Sequence, residues 1–428
     1  MEEKSLEGHH PHRRRFGGRG YFHRIGPGLI TGAADDDPSG IGTYSQVGAA
    51  FGFSMLWSTF AALPLAVAVQ EATARLGLFS GKGLAALIKE QFPKWVLYVA
   101  LVLVVGANSF NIGADLGSMA AATRLIVPLP HVSLVVAFAV MMAIIEIVLP
   151  YHQYSRILKW LCVSLLSYIA VLFIVNVSWF DVASEIVSPS LSFTKNTIAA
   201  LIALFGTTIS PYLFFWQTSE EVEELNNEGE RTAADGDAVG HLRAMRGDVV
   251  AGMSSGVLVM FAIMVTSAAT LGVAGISTVS TAEQAAMALE PLAGSAAKYL
   301  FALGIVGTGL LAIPVLAGST SYALAETFGW REGLSLKLSQ ARAFYMVIVV
   351  SMCLGMAMNL VGLDPVRALY WSAILNGVAA PPLIVMIWIL SRRESVLGER
   401  RSGRLSSTFV GLAALVSATL PAIYLLMP

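Results

Sequence analysis

Three consecutive carboxylates and a proline interrupt the first long apolar stretch of the chain. Within residues 26–41 they are Asp35, Asp36, Asp37 and Pro38. A charged side chain at membrane depth costs at least about 2.5–3.5 kcal/mol, and Pro38 removes a helical hydrogen bond. Such a break is tolerated in a bilayer only where protein buries it or water reaches it. We therefore interpret this stretch as a discontinuous membrane helix whose broken middle binds a cation.

A second interruption lies in the apolar stretch 197–217, where Gly206 and Pro211 break a run of otherwise sufficient length. Two interrupted segments at matching places in successive halves are typical of transporters built from inverted repeats, with the binding site between the unwound backbones. Taken alone, Pro211 indicates only a kinked, packed helix. Together with the aspartates of the first stretch, it favours a binding site.

The two breaks supply oxygen donors. We expect the carboxylate of Asp37 to act with the backbone carbonyls near Ala34 and Thr207. The hydroxyl of Ser210 or Thr208 and retained water molecules complete the expected set. Hard oxygen donors of this kind suit Mg²⁺ or Mn²⁺ better than a soft metal. The sequence therefore predicts a site for a divalent cation of the harder class.

Further polar residues lie in apolar stretches and are predicted to line an ion path. Asp35 and Asp36 project in different directions, because successive helical residues are about 100° apart. One of them is expected to line the access path, and the other to accept hydrogen bonds from the break. Asp115, Asn108 and Asn111 form a polar stripe that fits either a water-lined path or hydrogen bonds between helices. The complete predicted ion-path set is Asp35, Asp36, Asp115, Asn108, Asn111, Tyr212 and Asn376.

The composition is that of a multi-pass membrane protein. The chain is 56% hydrophobic and 13% charged, with a mean hydropathy of +0.69, whereas soluble domains have roughly 25% charged residues. Length and hydropathy predict eleven spans, at about 26–51, 53–78, 95–127, 131–150, 157–178, 197–217, 248–274, 297–325, 341–361, 367–390 and 406–427. With this arrangement all but four of the 27 lysines and arginines lie on the side of the N-terminus. The sequence thus predicts a cytoplasmic N-terminus in the cell (inner) membrane.

The predicted organisation has four parts. They are a basic cytoplasmic tail at 1–24, a transporter core at 25–390, a cytoplasmic loop at 391–404 and an eleventh transmembrane helix at 405–428. The core divides into repeats at 25–178 and 195–390. The segment 219–247 opens with an acidic run and is predicted to be a solvated cytoplasmic loop.

The sequence does not favour an enzyme. It contains no Walker motif and no paired catalytic residues, which argues against direct ATP drive. The two cysteines, Cys162 and Cys353, lie in apolar runs and suit neither a disulfide framework nor a thiolate zinc site. We expect the divalent ion as substrate and the lipid bilayer as partners, with no cofactor, nucleic acid or obligate protein partner.

At these residues the chain resembles the NRAMP family of divalent-metal transporters, which have a LeuT-like fold. The matching text is Gly-Pro-Gly at 26–28, Asp-Pro-Ser-Gly at 37–40, residues 70–77 and 81–85, Asp-Leu at 115–116, and 206–211. The similarity runs over most of residues 25–390. It implies an all-helical membrane protein of eleven or twelve helices, with two inverted five-helix repeats and discontinuous helices 1 and 6. It also implies that Asp37 is the metal-binding aspartate, with carbonyls of Ala34 and Thr207 contributing.

The departures from the family pattern bear on selectivity. Gly40 occupies the position of the asparagine in the family's helix 1 signature. Ser210 and Tyr212 occupy the positions of the methionine and histidine in its helix 6 signature. Loss of the thioether removes the soft ligand that favours transition metals. Loss of the histidine, with Ser118 at a frequent glutamate position, weakens the case for proton coupling. Ala373 stands at the position where the family usually has a glutamine. With these departures, the pattern is similar to the NRAMP-related magnesium transporters, whose wider site is thought to accept a partly hydrated ion.

Three functions are compatible with these residues. The preferred one is a transporter of Mg²⁺ or Mn²⁺ that works by alternating access with Asp37 as the charged ligand. A sodium- or proton-coupled transporter of amino acids or organic solutes on the same architecture is the first alternative, although three adjacent aspartates repel a substrate carboxylate. The second alternative is a membrane metal sensor or receptor, which the lack of a large soluble output domain disfavours.

Overall fold

The computed structural model describes residues 26–148, 165–190, 192–233 and 237–427, and the regular structure within these ranges is helical. The first half comprises α1 (Pro27–Asp35), α2 (Pro38–Phe51), α3 (Trp57–Ser80), α4 (Leu84–Gln91), α5 (Lys94–Arg124), α6 (His131–Val148), α7 (Leu166–Val171) and α8 (Trp179–Val187). The second half comprises α9 (Lys195–Thr208), α10 (Pro211–Glu228), α11 (Ala238–Ser267), α12 (Ala282–Met287), α13 (Glu290–Ala293), α14 (Ala297–Phe328), α15 (Arg342–Met358), α16 (Pro365–Leu390), α17 (Glu394–Leu397) and α18 (Arg404–Leu426).

The first predicted break is present between α1 and α2. Asp36 has a non-helical backbone (φ −82°, ψ 48°), and Asp37 is extended (φ −68°, ψ 170°). A proline disfavours the helical conformation for the residue before it but is well placed as the first residue of a helix. Aspartate is also a preferred residue at the N-cap. The sequence Asp37-Pro38 therefore ends one helix and starts the next.

The second predicted break is present between α9 and α10 and is built in the same way. Ile209 leaves the helical region (φ −125°, ψ 62°), Ser210 is extended (φ −80°, ψ 133°), and Pro211 begins α10. Prolines in the same structural position thus interrupt both helices, as the sequence predicts.

Glycines bring α1 into backbone contact with α11. A β-carbon on Gly32 would lie 2.3 Å from the carbonyl oxygen of Gly252, and one on Gly252 would lie 2.2 Å from that of Gly28. Small residues four apart on both helices permit this approach, which is a common way of packing helices in membranes. The first half-helix is therefore held directly against α11.

Seven helical stretches in the described ranges are long and apolar enough to span a membrane. They are Lys94–Arg124, His131–Val148, Lys195–Asn226, Ala238–Gly272, Glu290–Phe328, Pro365–Leu390 and Arg404–Leu426. Arg342–Met358 is a shorter apolar helix. The tail at 1–24 and residues 157–164 of the predicted span at 157–178 lie outside the described residues. The count of eleven, the repeat boundaries and the orientation stay predictions.

The prediction of a solvated loop at 219–247 is wrong over its first part, because α10 continues to Glu228. Glu221 is only 5% exposed and accepts a hydrogen bond from the side-chain amide of Gln217 (2.8 Å). Glu223 accepts hydrogen bonds from the Tyr322 hydroxyl (2.5 Å) and the Ser335 amide (2.7 Å). A neighbouring amide thus satisfies Glu221, and donors from distant parts of the chain, which the local sequence does not reveal, satisfy Glu223.

Candidate cation site at the two helix breaks

The carboxylate of Asp37 is buried and held in one orientation. Its Oδ1 accepts hydrogen bonds from the Gly40 amide and the Ser39 hydroxyl, both at 2.7 Å, and its Oδ2 accepts one from the Asn111 side-chain amide at 2.9 Å. An ionised carboxylate has about four acceptor positions, so three hydrogen bonds leave capacity for a cation. Asp37 therefore caps α2 and also presents negative charge to the break.

The second break lies beside the first. The Tyr212 hydroxyl, on the first turn of α10, donates a hydrogen bond to the carbonyl oxygen of Ala34 on α1 (2.9 Å). Ser210 donates to the carbonyls of Gly206 (2.9 Å) and Thr207 (2.6 Å). Each of these carbonyls has a second lone pair. The structure therefore brings the predicted donors Ala34, Thr207 and Ser210 to one region, and their role as ion ligands stays a prediction.

The three residues of the polar stripe of α5 have three different environments. The side-chain oxygen of Asn111 accepts a hydrogen bond from the Ser372 hydroxyl (2.5 Å), which links Asp37 through Asn111 to α16. Asn108 donates to groups on α14, among them the Ser319 hydroxyl (2.7 Å), and so forms a contact between helices. Asp115 is fully buried, and neither of its oxygens has a hydrogen-bond partner among the described residues. An ion-path role for these three residues stays a prediction.

Small residues lie where α9, just before the second break, packs against α16. A β-carbon on Gly206 would lie 2.1 Å from the carbonyl oxygen of Ala373, so α9 and α16 pack closely there. Asn376, one turn further on, is 1% exposed, and neither atom of its amide group has a partner in the described part of the chain. Ser118 lines an apolar cavity together with Ile41, which follows Gly40 directly. The positions that depart from the family pattern thus lie close to the breaks.

The site contains four acidic side chains that have no basic partner among the described residues. Asp35, Asp36, Asp37 and Asp115 are each at most 5% exposed, and the ion pairs found within the described ranges include none of them. Buried charges need partners or metal ions. No cluster of three or more histidine, cysteine or acidic side chains suited to a metal occurs in those ranges. A cation at Asp37 would therefore depend on carbonyl, hydroxyl and water oxygens as well.

Two contacts near the site were not predicted from the sequence. Ser372 reaches the site through Asn111, and Asp248 accepts hydrogen bonds from the amides of Gly28 (2.6 Å) and Leu29 (3.1 Å) at the start of α1. Ser372 could have been noticed as a polar residue in an apolar span, one turn before Asn376. Asp248 gives no such signal, because its partners are about 220 residues away.

Solved structures of transporters share this fold. The chain is similar to the Eremococcus coleocola manganese transporter, with a TM-score of 0.76 and 17% identity, covering 98% of this chain and 88% of that one. It also resembles Mhp1, a nucleobase-cation-symport-1 family transporter, with a TM-score of 0.61 and 14% identity, covering 94% and 93%. At these identities the likeness concerns the fold alone. It confirms the predicted LeuT-like helical architecture with both discontinuous helices.

Relatives in sequence cover nearly the whole chain. The divalent metal cation transporter MntH of Erwinia tasmaniensis is 24% identical over 405 residues, which is 92% of each protein. MntH of Pectobacterium carotovorum is 25% identical over 390 residues, covering 89% of this chain and 88% of the relative. The profile of the natural resistance-associated macrophage protein-like family matches residues 28–427. The resemblance predicted from the motifs is therefore confirmed, and this chain belongs to the Nramp family of membrane transporters.

Proposed function

We propose that this protein carries a divalent metal cation, with Mg²⁺ or Mn²⁺ favoured, across the membrane by alternating access. The observation that supports this most directly is the oriented, buried carboxylate of Asp37 between two helix breaks that Tyr212 joins through Ala34. Discontinuous helices that meet at mid-membrane are where transporters of this architecture bind their ions. The relatives named divalent metal cation transporters support a cargo of the same charge.

The donor types favour the harder divalent ions. Around Asp37 the residues at the breaks offer carboxylate, carbonyl and hydroxyl oxygen, and Ser210 stands where a thioether would favour softer metals. Mg²⁺ gives up its water reluctantly and usually keeps several molecules. Small residues at Gly40, Ser210 and Ala373 are compatible with a partly hydrated ion, and the absence of a histidine at Tyr212 supports transport without proton coupling.

Solute transport on the same architecture is less well supported. The similarity to Mhp1 concerns the fold, and fold similarity alone does not determine the substrate. A substrate carboxylate would approach Asp35, Asp36 and Asp37, whose charges repel it. None of the contacts described above favours a metal sensor or receptor over a transporter.

Uptake into proteoliposomes tests the proposal. We expect the wild-type protein to take up Mg²⁺ and Mn²⁺ without acidification of the lumen, and we expect Asp37→Ala to reduce this uptake to the level of empty vesicles. Asp181→Ala, at an exposed aspartate of α8, is the matched control and should transport normally. Uptake by Asp37→Ala at the wild-type rate would contradict the assignment. Acidification that follows metal entry would instead indicate proton coupling.

A further inference from the structure

A second group of oxygen atoms faces α11 rather than α5. The position that a β-carbon of Gly256 would occupy lies 3.3 Å from the carbonyl oxygen of Gly32. The same position is 3.7 Å from the Oδ2 atoms of both Asp35 and Asp36. Three oxygens thus converge on one point next to a residue that has no side chain. Asp37 does not contribute, because its carboxylate is bound to Asn111 on α5.

The two carboxylates at this point lack protein partners. Asp35 is 2% exposed and Asp36 is 5% exposed, and the Oδ1 atom of each has no hydrogen-bond partner in the described part of the chain. Asp37 and the partly buried Asp248, by contrast, accept hydrogen bonds from backbone amides. Neighbouring buried carboxylates repel each other unless one takes up a proton or a positive charge lies between them, and the nearby carbonyl oxygen of Gly32 adds a third donor suited to a cation. The arrangement therefore points to a bound cation.

The glycine pairs of α1 and α11 explain why space exists here. Gly28 and Gly32 lie against Gly252 with their backbones in contact. One turn later the two helices present Gly256 on one side and the two aspartates on the other. A side chain at Gly256 would fill the space between these oxygens.

We propose that Asp35, Asp36 and the carbonyl of Gly32 form a second site for a divalent cation, separate from Asp37. The proposal rests on the proposed function, because the transported ion itself would occupy both sites. Carboxylate and carbonyl oxygens are ligands for Mg²⁺ and Mn²⁺, and water can complete the coordination. With Asp35, Asp36, Asp37 and Asp115 all ionised, two divalent ions balance the charge, whereas one does not.

The number of bound ions tests the second site. Equilibrium dialysis of the purified full-length protein against Mn²⁺, followed by metal analysis, should give two ions per chain. The double substitution Asp35→Asn with Asp36→Asn should leave one. Gly256→Ala should also leave one, because its methyl group occupies the point where the oxygens converge while every charge is kept. In low-temperature electron paramagnetic resonance, the wild-type protein should show spin coupling between two nearby Mn²⁺ ions that Gly256→Ala lacks.

Controls separate loss of a site from loss of the fold. Gly272→Ala is the matched substitution, because its β-carbon would lie no closer than 3.4 Å to another atom, again a carbonyl oxygen. It should bind two ions, and all variants should elute as a single species in size-exclusion chromatography. Two ions retained by the double aspartate variant would overturn the second site. A single wild-type ion that Asp37→Ala abolishes would overturn it and leave the proposed function intact, whereas no bound ion would count against both.

Discussion

At the scale of single residues, one aspartate has two roles. Asp37 accepts the hydrogen bond from Gly40 that begins α2, and the same carboxylate is oriented towards the break by Asn111. The sequence indicates both Asp37 and Asn111, because an acidic residue before a proline and an amide in an apolar span are visible locally. Their connection to Ser372 is not, since that hydrogen bond joins residues 261 positions apart.

Position 210 provides a prediction about selectivity. We expect Ser210→Met to move the preference from Mg²⁺ towards Cd²⁺ by about tenfold, or about 1.4 kcal/mol of differential binding, because a thioether favours soft ions. Competition of Cd²⁺ with Mn²⁺ uptake in proteoliposomes measures this. Ser210→Leu is the matched control, since it adds similar bulk without sulfur and removes the same hydrogen bonds to Gly206 and Thr207. Equal Cd²⁺ competition in both variants would mean that residue 210 does not contact the ion.

At the scale of elements, the sequence predicts interruptions better than contacts. Both helix breaks follow from a proline, whose effect on the preceding residue is local. The prediction of a solvated loop is wrong for the acidic run of α10, because partners of Glu223 such as Tyr322 and Ser335 lie about 100 residues away. The glycines that join α1 to α11 carry a recognisable spacing, but the spacing alone does not identify the partner helix.

The backbone contact of α1 with α11 predicts a loss of stability. Gly252→Ala places a methyl group 2.2 Å from the Gly28 carbonyl, so the two helices must separate. Overpacking of this kind typically costs about 1–3 kcal/mol, and we expect a lower midpoint of thermal unfolding in detergent. Gly106→Ala, on α5, meets no atom within 4 Å, and should be neutral or stabilising because alanine favours helix. Equal midpoints for the two variants would show that the close approach is not required.

At the scale of the whole molecule, a set of contacts joins the start of α1 to distant segments. Asp248 of α11 caps α1, and Glu71 of α3 accepts hydrogen bonds from Arg246 (2.9 Å) and from Arg75, with which it forms an ion pair. Arg75 also donates to the carbonyl of Arg400 (2.9 Å). Because these groups lie at the end of the bundle where α1 begins, they hold that end together. In the alternating-access cycle that we propose, one end opens while the other closes, so we expect these contacts to break when this end opens.

Removal of the α1 cap should therefore favour the open form of that end. Thr31 is fully buried on α1, and a Thr31→Cys substitution reports its exposure to a maleimide once Cys162 and Cys353 are replaced by serine. We expect Asp248→Ala to raise the labelling rate about tenfold, because the first amides of α1 lose their acceptor and a hydrogen bond to a charged group contributes about 1.5–3 kcal/mol. Asp237→Ala removes the cap of α11 itself, at Gly240, and should leave labelling unchanged. If both variants label at the same rate, the closure of this end does not depend on Asp248, and the ion pair of Glu71 with Arg246 is the remaining contact to test.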